Sequence, residues 1–536
     1  MTASIEIPAT GTTLQSPPAR HERSPLLPTY DSPRKHDTRL SLYDTDGEGA
    51  TADDAPALST REELRELLAL AYPVILTTAL EFLPGFSSIV LTGHLDSPLK
   101  QQYVAAATLS TMVRSLPLCL SVSLSLFSCS LVCDGQFTNI TAFTIGSGLT
   151  SALDTIASQA FGANRLDKIG VYCQTALLVV GVCLVPALAL NFYTGAVLAW
   201  FGQDAVVCEL AQQFARYTLP GLPFVFLYDI ERRVLQAQNI MMPLVVVAVV
   251  GNIVEVIVGY WLAYHTAVGF VGIAMARALG YAVLPIGMQL YFRLQPELLA
   301  DWWTGWRWAA AVDHIALFVK LGVPGMLMML MEWWAFEVLS LLAGVLPNGV
   351  LAVSAHTVQL NVVQLAYVVF LGLSVATNIR VGNCLGAGFA AQARTAARLG
   401  LAIVAAVGVC WSAGVLLFRE YIAALFVDDA QTVEAASLVL VLWAPFEVLE
   451  AVNCVLQGVF RGAGLQDLAA RTNAFAYFVV GIPVAYVLAF PGGWGLKGLW
   501  IGFGLGVAAS VLALFAFFRK WNWHQLMRDA ENRTAE

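Results

Sequence analysis

Charged residues are scarce in this chain. Of 536 residues, 12% are Asp, Glu, Lys or Arg and 58% are hydrophobic, and the mean hydropathy is +0.69. Soluble globular domains carry about 25% charged residues, so the composition excludes a soluble protein. Hydrophobic runs of about 20 residues, the length that crosses a bilayer, recur from residue 67 almost to the end. Because helices satisfy their own backbone hydrogen bonds in lipid, we predict an all-α polytopic membrane protein.

Other signals are absent as well. The net charge is -8 and basic residues do not cluster outside short loops, which argues against a nucleic-acid partner. The nine cysteines form no CxxC pair and no zinc-like Cys/His spacing, so we expect neither a metal site nor a cofactor. The predicted spans contain no clustered His/Asp or Ser/His pair, which argues against an intramembrane enzyme.

Residues 1–60 differ from the rest of the chain. They are rich in Ser, Thr, Pro, Asp and Arg, a composition that buries too little surface to fold, and we predict a disordered cytosolic tail. The tail contains ERSPLL (Glu22 to Leu27), which resembles an acidic dileucine sorting signal. The motif either binds a sorting adaptor that directs the protein to the vacuolar membrane or occurs by chance; the plasma membrane is the other expected location.

Twelve spans are predicted. They fall into an N-terminal lobe (61–294) and a C-terminal lobe (315–518), which are joined by a cytosolic connector (295–314) and followed by a cytosolic tail (519–536). The spans are 67–93, 103–112 joined to 137–150, 170–192, 208–238, 243–264, 268–292, 315–343, 351–379, 396–418, 432–460, 469–490 and 497–518. Most basic residues lie beside even-to-odd connections, so the positive-inside rule places both termini in the cytosol.

The two predicted lobes resemble each other in sequence. The segment 158–176 aligns with 382–400, matching Gly162 with Gly386 at an offset of 224 residues, and two further segments align at offsets of 225 and 226. A constant offset indicates duplication. Because each lobe has an even number of spans, the lobes should be related by a pseudo-two-fold axis along the membrane normal, with a cavity between them.

Residues 113–136 interrupt the second predicted span with an apolar insertion. The segment is 24 residues long, so its coding sequence stays in frame, and its ends can be encoded with the first and last bases of an intron. We interpret it as an unspliced intron; the alternative is an inserted apolar loop or hairpin.

Four segments in order resemble the multidrug and toxic compound extrusion (MATE) antiporters, in particular the eukaryotic branch of fungal type. They are GLTSALDTIASQAFGA (148–163), MEWWAFE (331–337), NIRVGNCLGAG (378–388) and VFRGAG (459–464). The resemblance covers roughly residues 65–518. It implies two six-helix lobes around a V-shaped cavity and export of organic, often cationic, compounds in exchange for protons or sodium ions.

The same resemblance implies the coupling residues. An acid of the seventh span pairs with an acid of the tenth, and here these positions are Glu332 and Glu450. In the eighth span the animal members carry Glu and the plant members Asn, and this chain has Asn361. A three-carboxylate substrate site of the animal type is therefore not implied.

Helical geometry ranks the other acids. Glu337 lies about 140° around the helix from Glu332, so it should play a supporting role. Glu447 and Glu450 are three residues apart and should share a face, although Glu447 could instead point toward the other lobe. Glu81 and Glu255 are candidate cavity residues in the N-terminal lobe, whereas Asp154 should be structural and Glu231 should form a solvated ion pair with the arginines that follow it.

Trp333 and Trp334 follow Glu332 directly. An aromatic face beside a carboxylate can hold an organic cation by cation-π attraction, and adjacent helical residues point about 100° apart. We therefore expect Trp333 alone to line the cavity.

The sequence thus predicts a proton-coupled antiporter that exports drugs, toxins or metabolites by alternating access. Its partners would be the bilayer and a small organic substrate, and we expect a monomer. The alternatives are a sodium-coupled exporter of the same family and a flippase for a lipid-linked substrate.

Overall fold

The computed structural model describes residues 59–93, 142–200, 205–427 and 429–535, and every regular element in these ranges is helical. The prediction of an all-α polytopic protein is confirmed. Most of the predicted N-terminal tail with its sorting motif, the insertion 113–136 and the first part of the second predicted span lie outside the described residues.

The described part of residues 59–294, called here the N-half, contains nine α-helices and a 3-10 turn, Leu219–Gly221, between the sixth and the seventh. The helices are α1 (Thr60–Gly93), α2 (Thr144–Thr150), α3 (Ala152–Gly162), α4 (Leu166–Phe192), α5 (Thr194–Trp200), α6 (Ala205–Thr218), α7 (Leu222–Ala237), α8 (Met242–His265) and α9 (Phe270–Leu294).

Two short helices, α10 (Pro296–Ala300) and α11 (Trp308–Asp313), form the connector. The described part of residues 315–535, called here the C-half, follows. Its elements are α12 (Ile315–Gly344), α13 (Gly349–Gly386), α14 (Ala390–Phe426), α15 (Ala430–Ala463), α16 (Gln466–Ala474), a π-helical stretch (Phe475–Gly481), α17 (Ile482–Ala489), α18 (Gly495–Lys520) and α19 (Trp523–Ala535).

Ten helical segments of the described chain are long and apolar enough to cross a membrane, and all ten correspond to predicted spans. The fourth predicted span is present as α6, the 3-10 turn and α7, but it is not among the ten. Its α7 part contains Asp229, Glu231, Arg232 and Arg233, and three of these four side chains are buried. Their burial follows from contacts with neighbouring helices described below.

Two large hydrophobic clusters underlie the two halves. One is built mainly from α12 to α19 and the other mainly from α2 to α4, α7 and α9. The first helix of each half packs in the hydrophobic cluster of the other half. Leu67 and Val74 of α1 lie in the C-half cluster, and Phe318 and Leu321 of α12 lie in the N-half cluster. These contacts tie the halves together where α1 and α12 begin.

The duplicated segments contact each other. A Cβ atom on Gly162 would lie 2.1 Å from the carbonyl oxygen of Asn383, and one on Gly386 would lie 2.0 Å from that of Gln159. Positions 159 and 162 are offset by 224 residues from 383 and 386, so the two contacts are reciprocal. Reciprocal contacts are expected of repeats related by a two-fold axis.

Contacts between the halves concentrate where α1 begins and α19 ends, called here the tail end. Arg380 of α13 forms two hydrogen bonds of 2.6 and 2.8 Å with Glu63 of α1, which is fully buried. Gln159 of α3 donates to the carbonyl oxygen of Gly462 at 2.9 Å. At this end of the molecule the halves are in direct contact.

The predicted C-terminal tail contains a packed helix. Trp523, Leu526, Ala530 and Thr534 are buried along one side of α19, a spacing of three and four residues that forms a single helical face. Arg533 at its end donates to Gln159 of the N-half at 3.2 Å and to the carbonyl oxygen of Ala463 of the C-half at 3.1 Å. Helix α19 therefore bridges the halves at the tail end.

Candidate functional site

A cavity in the C-half, called here the first cavity, brings together the two acids predicted to carry exchange. Glu332 of α12 and Glu450 of α15 both line it, and their exposed fractions are only 4% and 2%. The cavity contains about 440 Å³ of empty space, including its opening. Phe82 of α1 also lines it, so the cavity lies at the junction of the halves.

The two carboxyl groups line the same cavity and interact electrostatically. Glu332 accepts a hydrogen bond of 3.2 Å from Nε2 of Gln457, whereas the two carboxyl oxygens of Glu450 are buried and receive no hydrogen bond from the described residues. The lining that the described residues provide contains no Lys, Arg or His. Two ionised carboxylates in one buried cavity repel each other, and a proton on either of them removes that repulsion.

Aromatic side chains form much of the remaining lining. Trp333, Phe336 and Tyr367 line the first cavity together with the acids. Trp334 instead is 44% exposed on the outside of the helix. The structure thus places Trp333 at the acids and Trp334 away from them.

Glu337 and Asn361 do not line the first cavity in the described structure. Glu337 is half-buried on α12, and α12 continues without interruption through both of its acids, since its internal proline, Pro324, comes before them. Asn361 is buried and donates to the carbonyl oxygen of Thr357 at 2.9 Å.

The structure separates Glu447 from Glu450. Glu447 lines a second cavity, between α13, α14 and α15, that shares no lining residue with the first among the described residues. Val362 faces the second cavity and Val363 the first, because consecutive helical residues point about 100° apart. The two acids were expected to share one face of the helix, but their side chains line different cavities.

The N-half acids are engaged in polar networks. Glu81 of α1 forms a salt bridge of 3.2 Å with Arg232, which also contacts Asp229. Arg233 binds Asp154 at 2.6 Å, and Arg461 of the C-half lies 3.8 Å from the same carboxylate. Asp154 therefore joins α3 to both halves, as a structural residue would.

Glu255 and Glu231 are also buried. Glu255 lies 3.6 Å from Nε of Arg277 and accepts from the hydroxyl groups of Ser87 and Ser88 at 3.3 and 3.4 Å. The prediction of a solvated ion pair for Glu231 is wrong: its side chain is 5% exposed and accepts a hydrogen bond of 2.6 Å from Gln289. The adjacent arginines bind other acids: both contact Asp229, Arg232 also binds Glu81 and Arg233 also binds Asp154.

Several residues that line the first cavity or donate to its acids were not predicted from the sequence. Gln457 lies seven residues after Glu450, a spacing that returns to the same helical face, so its position on the face of a predicted coupling acid could have indicated it. Gln364 and Tyr367 are three residues apart on α13 and both line the first cavity. Phe82 had no sequence signal, because its contact depends on how α1 packs against the C-half.

The described residues contain no group of three or more His, Cys, Asp or Glu side chains placed to hold a metal ion. The first cavity offers two carboxyl groups, which can bind a proton or a cation, and aromatic faces, which attract cations.

A model of the MatE family matches residues 134–261 and 324–487. The chain belongs to the MatE family. Multidrug and toxin extrusion protein 1 of Homo sapiens is 33% identical over 88% of this chain and 77% of its own length, and the Mus musculus protein is 32% identical over the same shares. The resemblance of the four sequence segments to MATE proteins is confirmed.

Solved structures of MATE proteins are similar to this chain in fold. The crystal structure of the eukaryotic MATE transporter AtDTX14 has a TM-score of 0.78 and 28% identity, covering 89% of this chain and 99% of its own. A MATE structure in the bent conformation has a TM-score of 0.71 at 18% identity and supports the fold. MatE proteins are membrane transporters rather than enzymes, and this chain is a multi-pass member of that family.

Proposed function

We propose that this MatE protein is a secondary active antiporter that exports organic cations in exchange for protons. The observation that carries the proposal is the pair Glu332 and Glu450, two buried carboxyl groups that line one cavity whose described lining has no basic side chain. The names of the mammalian relatives, multidrug and toxin extrusion protein 1, support drugs and toxins as the substrate class.

The carboxyl pair can accept either of two ligands. With both groups ionised, like charges repel at short range in a medium of low polarity. A proton removes one charge, and an organic cation placed between the groups balances both. Because each ligand relieves the same repulsion, proton and substrate compete, and competition at one site is the basis of exchange.

Trp333, Phe336 and Tyr367 suit an organic rather than a metal cation. The faces of aromatic rings attract cations and also contact apolar groups. These rings surround the acids, so a substrate could place its charge at the carboxylates and its apolar part against the rings.

We further propose that the tail end is cytosolic and that the halves rock about the first cavity. The contacts between Glu63 and Arg380 and between Gln159 and Gly462 hold the tail end closed. In this arrangement a proton from the acidic, non-cytosolic side reaches the pair, releases the substrate there and lets the halves reopen toward the cytosol.

Uptake of ethidium, a fluorescent organic cation, into acid-loaded proteoliposomes tests the proposal. We expect accumulation in the wild type, and at least about tenfold slower uptake in Glu332→Gln and Glu450→Gln, because loss of about 1.4 kcal/mol of interaction corresponds to one factor of ten. Glu297→Gln, the same change at an exposed position of α10, should behave like the wild type.

Ionophores identify the coupling ion. A proton ionophore should abolish uptake, whereas dissipating a sodium gradient should leave it unchanged. Dependence on sodium alone would replace the proton with Na⁺ in the proposal. Undiminished exchange in both glutamine variants would remove the carboxyl pair from the mechanism.

A further inference from the structure

The second cavity of the C-half is enclosed by α13, α14 and α15 and contains about 190 Å³ of empty space, including its opening. Four of its nine lining residues are aliphatic: Val362, Val415, Leu440 and Ala444. Its polar side chains are Gln359, Trp411, Ser412, Trp443 and Glu447. The space is polar and just large enough for about one water molecule.

Glu447 is the ionisable group of this cavity. It is 2% exposed, and one carboxyl oxygen accepts a hydrogen bond from the indole N–H of Trp443. The other oxygen, Oε1, is buried and has no hydrogen-bond partner within the described chain. A buried carboxylate left half-satisfied in this way is costly when ionised, and binding a proton at Oε1 removes the charge.

The neighbouring groups complement a protonated carboxyl group. Oε1 of Gln359 is a buried acceptor and Nε1 of Trp411 a buried donor, and neither has a partner among the described residues. A carboxylic O–H supplies the donor that Gln359 lacks, and a water molecule can accept from Trp411. The Ser412 hydroxyl already donates to the carbonyl oxygen of Ala444 at 2.7 Å.

The same groups disfavour a metal cation. Hard cations take several oxygen ligands, whereas two indole N–H groups, those of Trp411 and Trp443, belong to the lining here. Indole nitrogens only donate hydrogen bonds, so they present positive hydrogen atoms. A proton therefore fits this site better than Na⁺ does.

The charged side chain that interacts with Glu447 is a second acid, Glu450. From α13, His356 lies one turn before Gln359, but its ring contacts Trp500 of α18 and its Nε2 lies 2.8 Å from the Ser340 hydroxyl. From α14 the cavity receives the uncharged Trp411 and Ser412. On α15 itself, Glu450 interacts electrostatically with Glu447 across the wall between the cavities.

We propose that Glu447 is a second proton-binding site of the C-half, separate from the Glu332 and Glu450 pair, and that it adds one proton to each transport cycle. A hydronium ion from the acidic side transfers its proton to Oε1 and leaves as water, and the proton later passes to water on the cytosolic side. This inference rests on the proposed function for the direction of proton flow but not for the existence of the site.

Pro445 can couple a bend of α15 to the surroundings of Glu447. It lies inside α15, two residues before Glu447, and it cannot donate the backbone hydrogen bond of its turn, so the helix can bend there. Bending at this point changes the access of Glu447 and Glu450 together.

Infrared difference spectroscopy of the purified full-length protein tests the site without transport, because a protonated carboxyl group absorbs apart from a carboxylate. We expect a pH-dependent protonated-carboxyl band that persists in the double variant Glu332→Gln/Glu450→Gln and disappears when Glu447→Gln is added to that variant. Glu434→Gln, an exposed position on the same helix, should leave the band intact. A band unaffected by Glu447→Gln overturns the proposal.

Two further variants keep the test decisive if Glu447→Gln does not fold. Gln359→Leu removes the acceptor and Trp411→Phe removes the donor, and each should shift the frequency of the band. If neither variant shifts it, Glu447 is not the proton-binding group.

Accumulation of ethidium in proteoliposomes with the membrane potential clamped at zero measures the stoichiometry. Each proton per cycle raises accumulation about tenfold for one pH unit, so Glu447→Gln should lower it about tenfold at steady state. An unchanged accumulation ratio overturns the added proton. If the wild type accumulates no ethidium but the infrared band follows Glu447, the proposed function fails and the proton site stands.

Discussion

Trp333 and Trp334 have the same chemistry and adjacent positions, but their surroundings differ. Trp333 lines the first cavity beside Glu332, whereas Trp334 is 44% exposed on the outside of α12. The step of about 100° between consecutive helical residues separates a side chain at the acids from one on the outer surface. Substitution of Trp334 is therefore the control for substitution of Trp333.

We expect Trp333→Ala to raise the KM for ethidium roughly 2- to 30-fold, which corresponds to a cation-π contribution of about 0.5 to 2 kcal/mol. Trp334→Ala should leave the KM within about twofold, since exposed substitutions have small effects. Initial rates of pH-driven uptake at several ethidium concentrations measure both. Equal effects of the two substitutions would contradict binding at the ring of Trp333.

At the scale of helices, α3 and α13 meet at glycines. A Cβ atom on Gly386 would lie 2.0 Å from a backbone oxygen of α3, a distance that only movement of one helix can relieve. Because Gly162 makes the reciprocal contact, both repeats of the duplicated sequence contribute to the crossing. The glycines that revealed the duplication in the sequence are thus also the residues that allow close approach.

Gly386→Ala should push α3 and α13 apart and favour opening of the tail end. We expect faster labelling of a cysteine introduced at Gln159, measured with a membrane-impermeant thiol reagent against the same cysteine in the wild-type background. Gly181→Ala is the matched control, since no atom lies within 4 Å of its Cβ position. If the two alanine variants label at the same rate, the glycine contact does not hold the halves together.

At the scale of the whole molecule, a buried ion pair joins the two halves at the tail end. Glu63 is fully buried and Arg380 is 8% exposed, and their hydrogen bonds connect α1 to α13. Gln392 of α14 adds a third hydrogen bond to Glu63 at 2.9 Å. Removing one member of such a pair leaves the other charge buried without compensation.

Glu63→Gln should therefore shift the conformational equilibrium toward an open tail end, where water can solvate Arg380. Breaking a buried pair costs about 3 to 5 kcal/mol, enough to change which state dominates. Distances between spin labels at exposed positions of α14 and α4 would report the opening. Asp467→Asn breaks an exposed pair with Arg471 and should change nothing; an unchanged distance distribution in Glu63→Gln would show that the ion pair does not control closure.

By itself the sequence determined the class, the helical spans and their duplication. Span length and hydrophobicity are local properties of the sequence. They identify spans because a bilayer requires an apolar helix of about 20 residues for each crossing. The sequence segments also indicated Glu332 and Glu450, and helical spacing separated Trp333 from Trp334. The duplication and the two acids came from comparing segments of sequence, and the two tryptophans were separated by their positions along one helix.

Only the tertiary structure decided which groups meet. It placed Glu447 and Glu450 in different cavities, gave Glu231 a partner in Gln289 instead of the adjacent arginines, and joined Asp154 to Arg461 across the two halves. The physical reason is that a buried polar side chain must find its partner on whichever helix packs against it. Those helices are far apart in the chain, and no local pattern specifies their packing.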